Sequence, residues 1–274
     1  MKRKVLITGA AGGMGRACAR LFGATQELIL TDVVAEPLNR FADKLRAEGY
    51  PVIGVHAGDL GSASVLEAVT RDLADGNPFT LIHTAGLSPS QADWQSILTI
   101  NLVATAKLVD ALEPLLTPGS VGILIASTAG HLMPPIPDVQ KILDNPLAAD
   151  LLDRIGPLVE AMGAQAGPAG ARGISYSLSK QAVLRLCEQC ATRWGKHGAR
   201  IVTISPGLIQ TPMGRKEVAE TPGAAETRDA APAGRAGTAM DIALAARFLA
   251  SDEASFITGS DLKVDGGSVA AMKA

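Results

Sequence analysis

The chain has 274 residues, of which 47% are hydrophobic, 19% charged and 3% aromatic. This length and balance suit one α/β domain of aliphatic strands covered by helices. A formal net charge of −2 excludes the strongly basic character of a nucleic-acid or anionic-membrane binder, and no run of about eighteen apolar residues marks a membrane span.

The first apolar run, Val5 to Ile7, predicts a buried parallel strand. The preceding Met1-Lys-Arg-Lys4 has the look of a signal-peptide start, but the apolar core is too short and runs directly into glycines. Those glycines are Thr8-Gly-Ala-Ala-Gly-Gly-Met-Gly15, and a helical pattern follows from about Met14. Gly9 suits the tight strand-to-helix turn, Gly13 a close approach of backbone to pyrophosphate, and Gly15 the packing of helix on strand, with Gly12 and Met14 completing the loop. The first N–H groups and positive dipole end of that helix would hold phosphates. The next strand, Leu28 to Asp32, closes on an acid about 20 residues beyond Gly9, the distance expected of a ribose-binding carboxylate.

A helix is predicted over Glu36 to Glu48, where Gly49 stops it, and a third strand over Pro51 to His56, ending in Ala57-Gly-Asp-Leu60. After a helix over Ser62 to Leu73, a fourth strand, Thr80 to Thr84, ends in Ala85-Gly86. One long helix is predicted from Trp94 to Leu116, with Asn101 inside it. The fifth strand, Val121 to Ala126, ends at Ser127; the sixth, Arg200 to Ser205, ends in Pro206-Gly207; the seventh is Asp261 to Val264. Alternating strands and helices predict right-handed βαβ units in a single-domain, Rossmann-like, doubly wound parallel sheet of about seven strands, with helices on both faces. Ligands then bind beyond the carboxyl ends of the strands, where Gly9, Asp32, Asp59, Gly86, Ser127 and Pro206 all fall.

Two segments break the rhythm and are expected to be lids over that edge. The first, residues 130–173, opens with prolines, carries Gly156-Pro157 as an expected break, and ends in a glycine- and alanine-rich stretch that reads as loose chain. The apolar side of this segment, with Leu151, Ile155 and Val159, and Met213 further on, suggests a mainly apolar substrate. The second is residues 208–237, rich in alanine, proline and polar residues.

Tyr176-Ser-Leu-Ser-Lys180 is read as the start of a helix, with Tyr176 and Lys180 one turn apart on one face. An ammonium about 4 Å from the phenol, at an effective dielectric of about 20, is worth roughly 4 kcal/mol. That would bring the tyrosine about 2–3 pH units below its ordinary value and make the pair an acid/base for an alcohol or carbonyl oxygen. Cys187 and Cys190 form C-x-x-C, but they share a helical face with Val183, Leu186 and Trp194 and lack a second ligand pair. They read as buried structural thiols in a reducing, cytoplasmic setting, with no metal.

With these motifs in view the chain resembles the short-chain dehydrogenase/reductase family, over essentially its whole length and in family order. The resemblance implies that Gly9, Gly12, Gly13, Met14 and Gly15 cradle the cofactor. It places Gly58, Asp59 and Leu60 near the adenine, and Thr84, Ala85 and Gly86 at the end of the family's N-N-A-G. The carboxamide loop would be Pro206 and Gly207 with Ile209 and Thr211. It implies a catalytic set of Asn101, Ser127, Tyr176 and Lys180. Ser127 would hold the substrate oxygen, Tyr176 move the proton and Lys180 bind the nicotinamide ribose, while Asn101 holds a relay water. Asp32, followed by Val33 and with no basic residue at Gly12, favours NAD over NADP, Arg16 being the one basic group of the loop. His83 departs from the family's first asparagine and reads as a strand-end residue contacting backbone. The long interval from Ser127 to Tyr176 is similar to that of some bacterial hydroxysteroid dehydrogenases.

The implied function is NAD-dependent hydride transfer between a secondary alcohol or ketone, apolar and steroid- or terpenoid-like, and the nicotinamide. The four-residue spacing of Tyr176 and Lys180 argues against the enoyl-reductase subtype. The alternative is a non-catalytic NAD(H)-sensing regulatory protein on the same fold. A homo-oligomer, dimer or tetramer, is implied, in which the insertion would cover the usual interface at the tyrosine-bearing helix. No nucleic-acid or membrane partner is expected.

Overall fold

The structure is a computed structural model and describes residues 3–167, 169–220 and 231–274. Seven strands form one sheet in the order β3-β2-β1-β4-β5-β6-β7. They are β1 (Lys4–Thr8), β2 (Glu27–Asp32), β3 (Val52–Ala57), β4 (Phe79–His83), β5 (Val121–Ile125), β6 (Arg200–Pro206) and β7 (Asp261–Val264). Every pairing is parallel. The order reverses between β1 and β4, so their connections leave in opposite directions and open a crevice at the carboxyl ends. The expected doubly wound sheet is thus present, its central strands uniformly apolar because both faces are covered.

On one face lie α1 (Gly13–Gly23), α2 (Ala35–Ala47) and, late in the chain, the helix Ala239–Ala250; their core joins Val5, Ile7, Phe22, Phe41, Ile123 and Ile242. On the other lies α3 (Ala63–Leu73), capped by Ser62. The helix expected from Trp94 to Leu116 is divided: α4 (Trp94–Leu98), a π-helical turn at Thr99–Val103, and α5 (Ala104–Leu112). A π turn inserts one residue into the helical ladder and re-aims a side chain. Here Asn101 turns toward the loop after β4, where its Oδ1 accepts from Leu87 N at 2.7 Å and its Nδ2 donates to Leu87 O at 3.0 Å.

The insertion departs most from expectation. It forms α6 (Ala129–Leu132), α7 (Pro137–Leu143) and α8 (Leu151–Gln165), and α9 begins at Gly170, not near Tyr176. The glycine- and alanine-rich stretch is a close helix crossing, because a Cβ on Gly163 would sit 2.5 Å from Ala171 N. Nor does Gly156-Pro157 break the chain; both lie inside α8. An interior proline costs about 3 kcal/mol. Buried Leu151, Ile155 and Val159 offset it at roughly 1.5–3 kcal/mol each, and bare Gly156 lets Trp94 lie against the helix.

These helices build a third core with Leu98, Leu102, Leu178 and Ala182 of α4, the π turn and α9 (Gly170–Gly195). Arg185 grips Asp144 through Nε and Nη2 at 2.6 and 2.5 Å, and Gln181 donates to Met133 O at 3.1 Å. The described residues of 130–173, expected as a lid, form a layer packed on α4 and α9, and among them only Leu132 lines the cleft at the carboxyl ends of the strands. The second segment does border the cleft, through Leu208 to Thr211 and α10 (Pro212–Glu220); its residues 221–230 lie outside the described residues.

Cys187 and Cys190 are buried in α9 against the second core, and Cys18 is buried under the first. Burial pushes Cys18 up to about 12 and Cys187 higher still, so these thiols are inert packing groups. Among the described residues no helix is long and apolar enough to cross a membrane.

Candidate active site

The glycine loop between β1 and α1 is held by contacts only glycine allows. Gly9 has φ +62°, and a Cβ there would lie 2.8 Å from Ala85 N, so the loop abuts the end of β4. Gly15 faces the carbonyl of Gly9, so the residue packs helix against loop, not helix against strand as expected. Gly13 meets Thr211: its absent Cβ would be 2.5 Å from Thr211 Cγ2. The expected pyrophosphate role of Gly13 therefore shares the position with a packing role. The N-cap of α1 is Gly12, which offers no side-chain cap, so the first N–H groups of α1 are left to an anion. These features fit a dinucleotide pyrophosphate.

At the ends of the next strands, Asp32 Oδ2 accepts from Ala11 N at 3.0 Å, holding the carboxylate against the loop. Gly58, at φ +143°, turns the chain after β3 and donates to Asp32 O at 3.0 Å. Asp59 is exposed and accepts from Gly61 N at 2.8 Å. Leu60 turns its side chain into the second core, so only its backbone faces the rim. Ala85 likewise offers little, since its N–H donates to Thr8 Oγ1 at 3.3 Å. Arg16 is engaged within the loop, donating from Nε to Ala11 O at 2.7 Å with its guanidinium 5.2 Å from the Phe41 ring centroid.

The cleft itself, about 340 Å³, brings Met14, Thr84, Gly86, Pro206, Gly207, Ile209 and Thr211 together with Ser127, Tyr176 and Lys180. The adenosine-side residues Asp32, Gly58 and Asp59 lie further along the same strand ends, outside this cleft. Ser127 hydrogen-bonds the Tyr176 phenol, and its Oγ also accepts from Ala129 N at 3.2 Å. Lys180 is buried; its Nζ donates to Ile125 O at 3.0 Å and stands 5.8 Å from the tyrosine ring centroid. Gly86 lies between Asn101 and Lys180: a Cβ there would sit 3.1 Å from Asn101 Oδ1, a tight contact, and 3.5 Å from Lys180 Nζ. Asn101 is fixed on its far side by Nδ2 donating to Ser179 Oγ at 3.2 Å.

The electrostatics correct one expectation. Tyr176 is not lowered by Lys180: burial, with the nearby Glu217 carboxylate, pushes the phenol up to about 12, and the Ser127 hydrogen bond offsets only part of this. The ammonium donates to the Ile125 carbonyl and stands over the Tyr176 ring, and it is not among the groups that shift the phenol. Burial also brings Lys180 down to about 8. The phenol is thus a proton donor at neutral pH as the cleft stands, and works as a base only when positive charge enters beside it.

His83 bridges two side chains, not backbone as expected. Thr8 Oγ1 and Thr105 Oγ1 lie 2.8 Å from its two ring nitrogens. Thr105 also donates to Asn101 O at 2.7 Å, so a chain of hydrogen bonds joins β1 and β4 to the π turn. Sequence reasoning also missed Glu217, Leu87, Thr128 and Leu132, all lining the cleft. Only Glu217 carried a readable signal, standing four residues after Met213 on the helix that follows the carboxamide loop.

A phosphate cradle opening onto a hydroxyl, a phenol and a buried amine is the site of a dinucleotide-dependent oxidoreductase. Comparison with known proteins agrees. A model described as short chain dehydrogenase matches residues 3–136, and one described as Enoyl-(Acyl carrier protein) reductase matches residues 150–269. The short-chain dehydrogenase/reductase bsc3 of Alternaria brassicicola is 30% identical over 98% of this chain and 97% of its own length. The galactitol 2-dehydrogenase (L-tagatose-forming) of Cereibacter sphaeroides is 30% identical over 95% of this chain and 92% of its own. The 3-alpha-hydroxysteroid dehydrogenase from Pseudomonas sp. B-0831, solved in complex with NADH, superposes with a TM-score of 0.75 at 25% identity, covering 98% of each chain. The chain belongs to the short-chain dehydrogenase/reductase family. It is an oxidoreductase acting on alcohol or ketone groups with a nicotinamide cofactor.

Proposed function

We propose that the protein is an NAD-dependent dehydrogenase of secondary alcohols, or reductase of the matching ketones, with a substrate whose body is mainly apolar. The observation that carries this reading is the hydrogen-bonded Ser127 and Tyr176 above buried Lys180, at the mouth of the Gly9–Gly15 cradle. A nicotinamide dinucleotide held by the Gly9–Gly15 cradle would supply or accept the hydride at the carbinol carbon. Ser127 holds the reacting oxygen, and Tyr176 takes the hydroxyl proton in oxidation or returns it in reduction. Lys180 binds the nicotinamide ribose, and Asn101 holds a water that passes the proton outward from Lys180.

Asp32 supports NAD: its carboxylate, tied to Ala11, would repel a 2′-phosphate, and Arg16 is engaged elsewhere. The case for an apolar substrate rests on Leu87, Leu132, Leu208 and Met213 in the cleft; the apolar side of the insertion no longer supports it, being spent on the third core. The protein works in the cytoplasm as a homo-oligomer, a dimer or tetramer whose contact avoids the face of α4 and α9 taken by the insertion.

NADH formation across steroid, terpene, cyclohexyl and acyclic secondary alcohols tests the assignment. Turnover should appear with NAD, exceed that with NADP, and fall by at least about 100-fold in Tyr176→Phe with NADH binding retained. Tight NADH binding without turnover of any alcohol would favour the sensing alternative.

A further inference from the structure

Glu217 is the cleft residue to which hydride transfer assigns no task. It lies on α10 four residues after Met213, so the two share a helix side, and both line the cleft with Gly214. The helix is set in place: Gly214 N donates to Thr211 Oγ1 at 3.1 Å, and Lys216 Nζ reaches Ser90 O at 3.0 Å in the loop after β4. Gly214 faces the Ile209 carbonyl so closely that no larger residue fits, which seats α10 directly on the carboxamide loop. The placement of Glu217 therefore follows from packing, not from a wandering surface side chain.

Two charged side chains line the cleft among the described residues, Lys180 and Glu217. Lys180 is satisfied by the Ile125 carbonyl. Glu217 has neither a hydrogen bond nor an ion pair among the described residues, although it is half-buried and close enough to the Tyr176 phenol to act on it electrostatically. A desolvated carboxylate without a donor is unfavourable, and burial accordingly raises its pKa. Its cleft-lining neighbours on α10, Met213 and Gly214, offer no side-chain donor. A donor that arrives with the substrate would meet this half-buried carboxylate in place of water.

We propose that Glu217 is a specificity-determining residue that accepts a hydrogen bond from an O–H or N–H group carried by the substrate away from the reacting carbon. The substrate is then an alcohol or ketone with a mainly apolar body and a second, donating substituent, a hydroxyl or an ammonium. This deepens the assignment above and rests on it. An analogue that lacks the second donor displaces water from the carboxylate and returns no hydrogen bond, and discrimination of that kind is large because the loss falls on the protein group as well as the ligand.

The test uses three matched alcohols, cyclohexanol, cyclohexane-1,4-diol and 4-aminocyclohexanol, with the full-length wild type, Glu217→Gln and Glu217→Leu. NADH formation gives kcat/KM for each pair, and NADH binding is measured for each protein. Wild type should prefer at least one donor-bearing alcohol over cyclohexanol by about tenfold or more. Glu217→Leu should erase that preference, read as the ratio of kcat/KM to that of cyclohexanol, while NADH affinity stays within about threefold; the ratio cancels the effect of the carboxylate on the Tyr176 phenol, which all three substrates share. Glu217→Gln, which still accepts but carries no charge, should keep preference for the diol and lose any for the amino alcohol. Equal losses for all three substrates, or a parallel loss of NADH affinity, would overturn the proposal in favour of a role in folding or cofactor seating. Turnover with no preference in wild type would overturn it too, leaving the dehydrogenase assignment standing. If none of these or the wider alcohol panel is oxidised, the dehydrogenase assignment fails and the Glu217 role falls with it.

Discussion

Replacing His83 by asparagine asks whether the fold holds this ring neutral. The directions of its hydrogen bonds follow from groups already committed. Thr105 donates to Asn101 O, so its oxygen accepts from the ring at Nε2; Thr8 accepts from Ala85 N, so its hydroxyl donates to Nδ1. A second ring proton would face a donor at Nδ1. Burial, reinforced by the charge of Lys180, brings His83 down to about 3 from its ordinary 6.5.

An unfolded chain therefore takes up a proton near pH 6.5 that the native protein refuses until about pH 3. The stability contributed by the neutral ring is complete above pH 6.5 and is lost progressively as pH falls toward 3. The slope is about 1.36 kcal/mol per pH unit, so roughly 2 kcal/mol is gone by pH 5. Asparagine does not titrate and is too short to span both threonines. At about pH 7.5 His83→Asn should be less stable by about 1–3 kcal/mol, the cost of a broken buried bridge. At about pH 5 that gap should narrow by about 2 kcal/mol. Urea unfolding of both proteins at both pH values measures it, and His56, His131 and His197, common to the two, cancel in the difference. A gap that is unchanged within about 0.5 kcal/mol would refute the reasoning, as would an NMR titration of the His83 ring near its ordinary value.

Gly13→Ala drives a methyl into Thr211 Cγ2, 2.5 Å away, and should weaken NADH binding about tenfold, since overpacking costs about 1–3 kcal/mol; Thr211→Ser in the same chain should restore part of it by calorimetry, the Cβ of residue 211 still lying 2.8 Å from the new methyl. Asp32→Ser removes the carboxylate that excludes a 2′-phosphate and should shift the NAD-to-NADP ratio of kcat/KM about tenfold or more toward NADP. Gly173→Ala lies inside α9 with nothing within 4 Å of its new methyl, and should stabilise the protein by about 1 kcal/mol in urea unfolding; a loss of stability would show a neighbour the packing does not contain.

The strands, the glycine loop and the acid at Asp32 were legible because each depends on local pattern. A run of aliphatic residues buried on both sides has one stable use in an α/β chain, and a glycine turn between strand and helix has few. The π turn at Asn101 was not legible, because it exists to let Asn101 reach Leu87, a contact made across the loop after β4. Gly163 and Gly170 misled in the same way. Glycine reads locally as loose chain, whereas here bare backbone lets α8 and α9 touch.

For the site, residue type and spacing were enough to pick out Ser127, Tyr176 and Lys180 as partners. They were not enough to give the sign of the tyrosine's shift. Spacing along a helix says that two side chains share a face, but a pKa depends on everything within several ångströms, including the Ile125 carbonyl that holds Lys180 and the Glu217 carboxylate that opposes it. The sequence by itself determined the strand order's raw material, the cradle and the reacting groups, since these are properties of short segments. Only the tertiary structure decided that the insertion is a packed wall, that His83 is a neutral bridge, and that the Glu217 carboxylate lines the cleft. Those facts arise where distant segments meet and share one low-dielectric space.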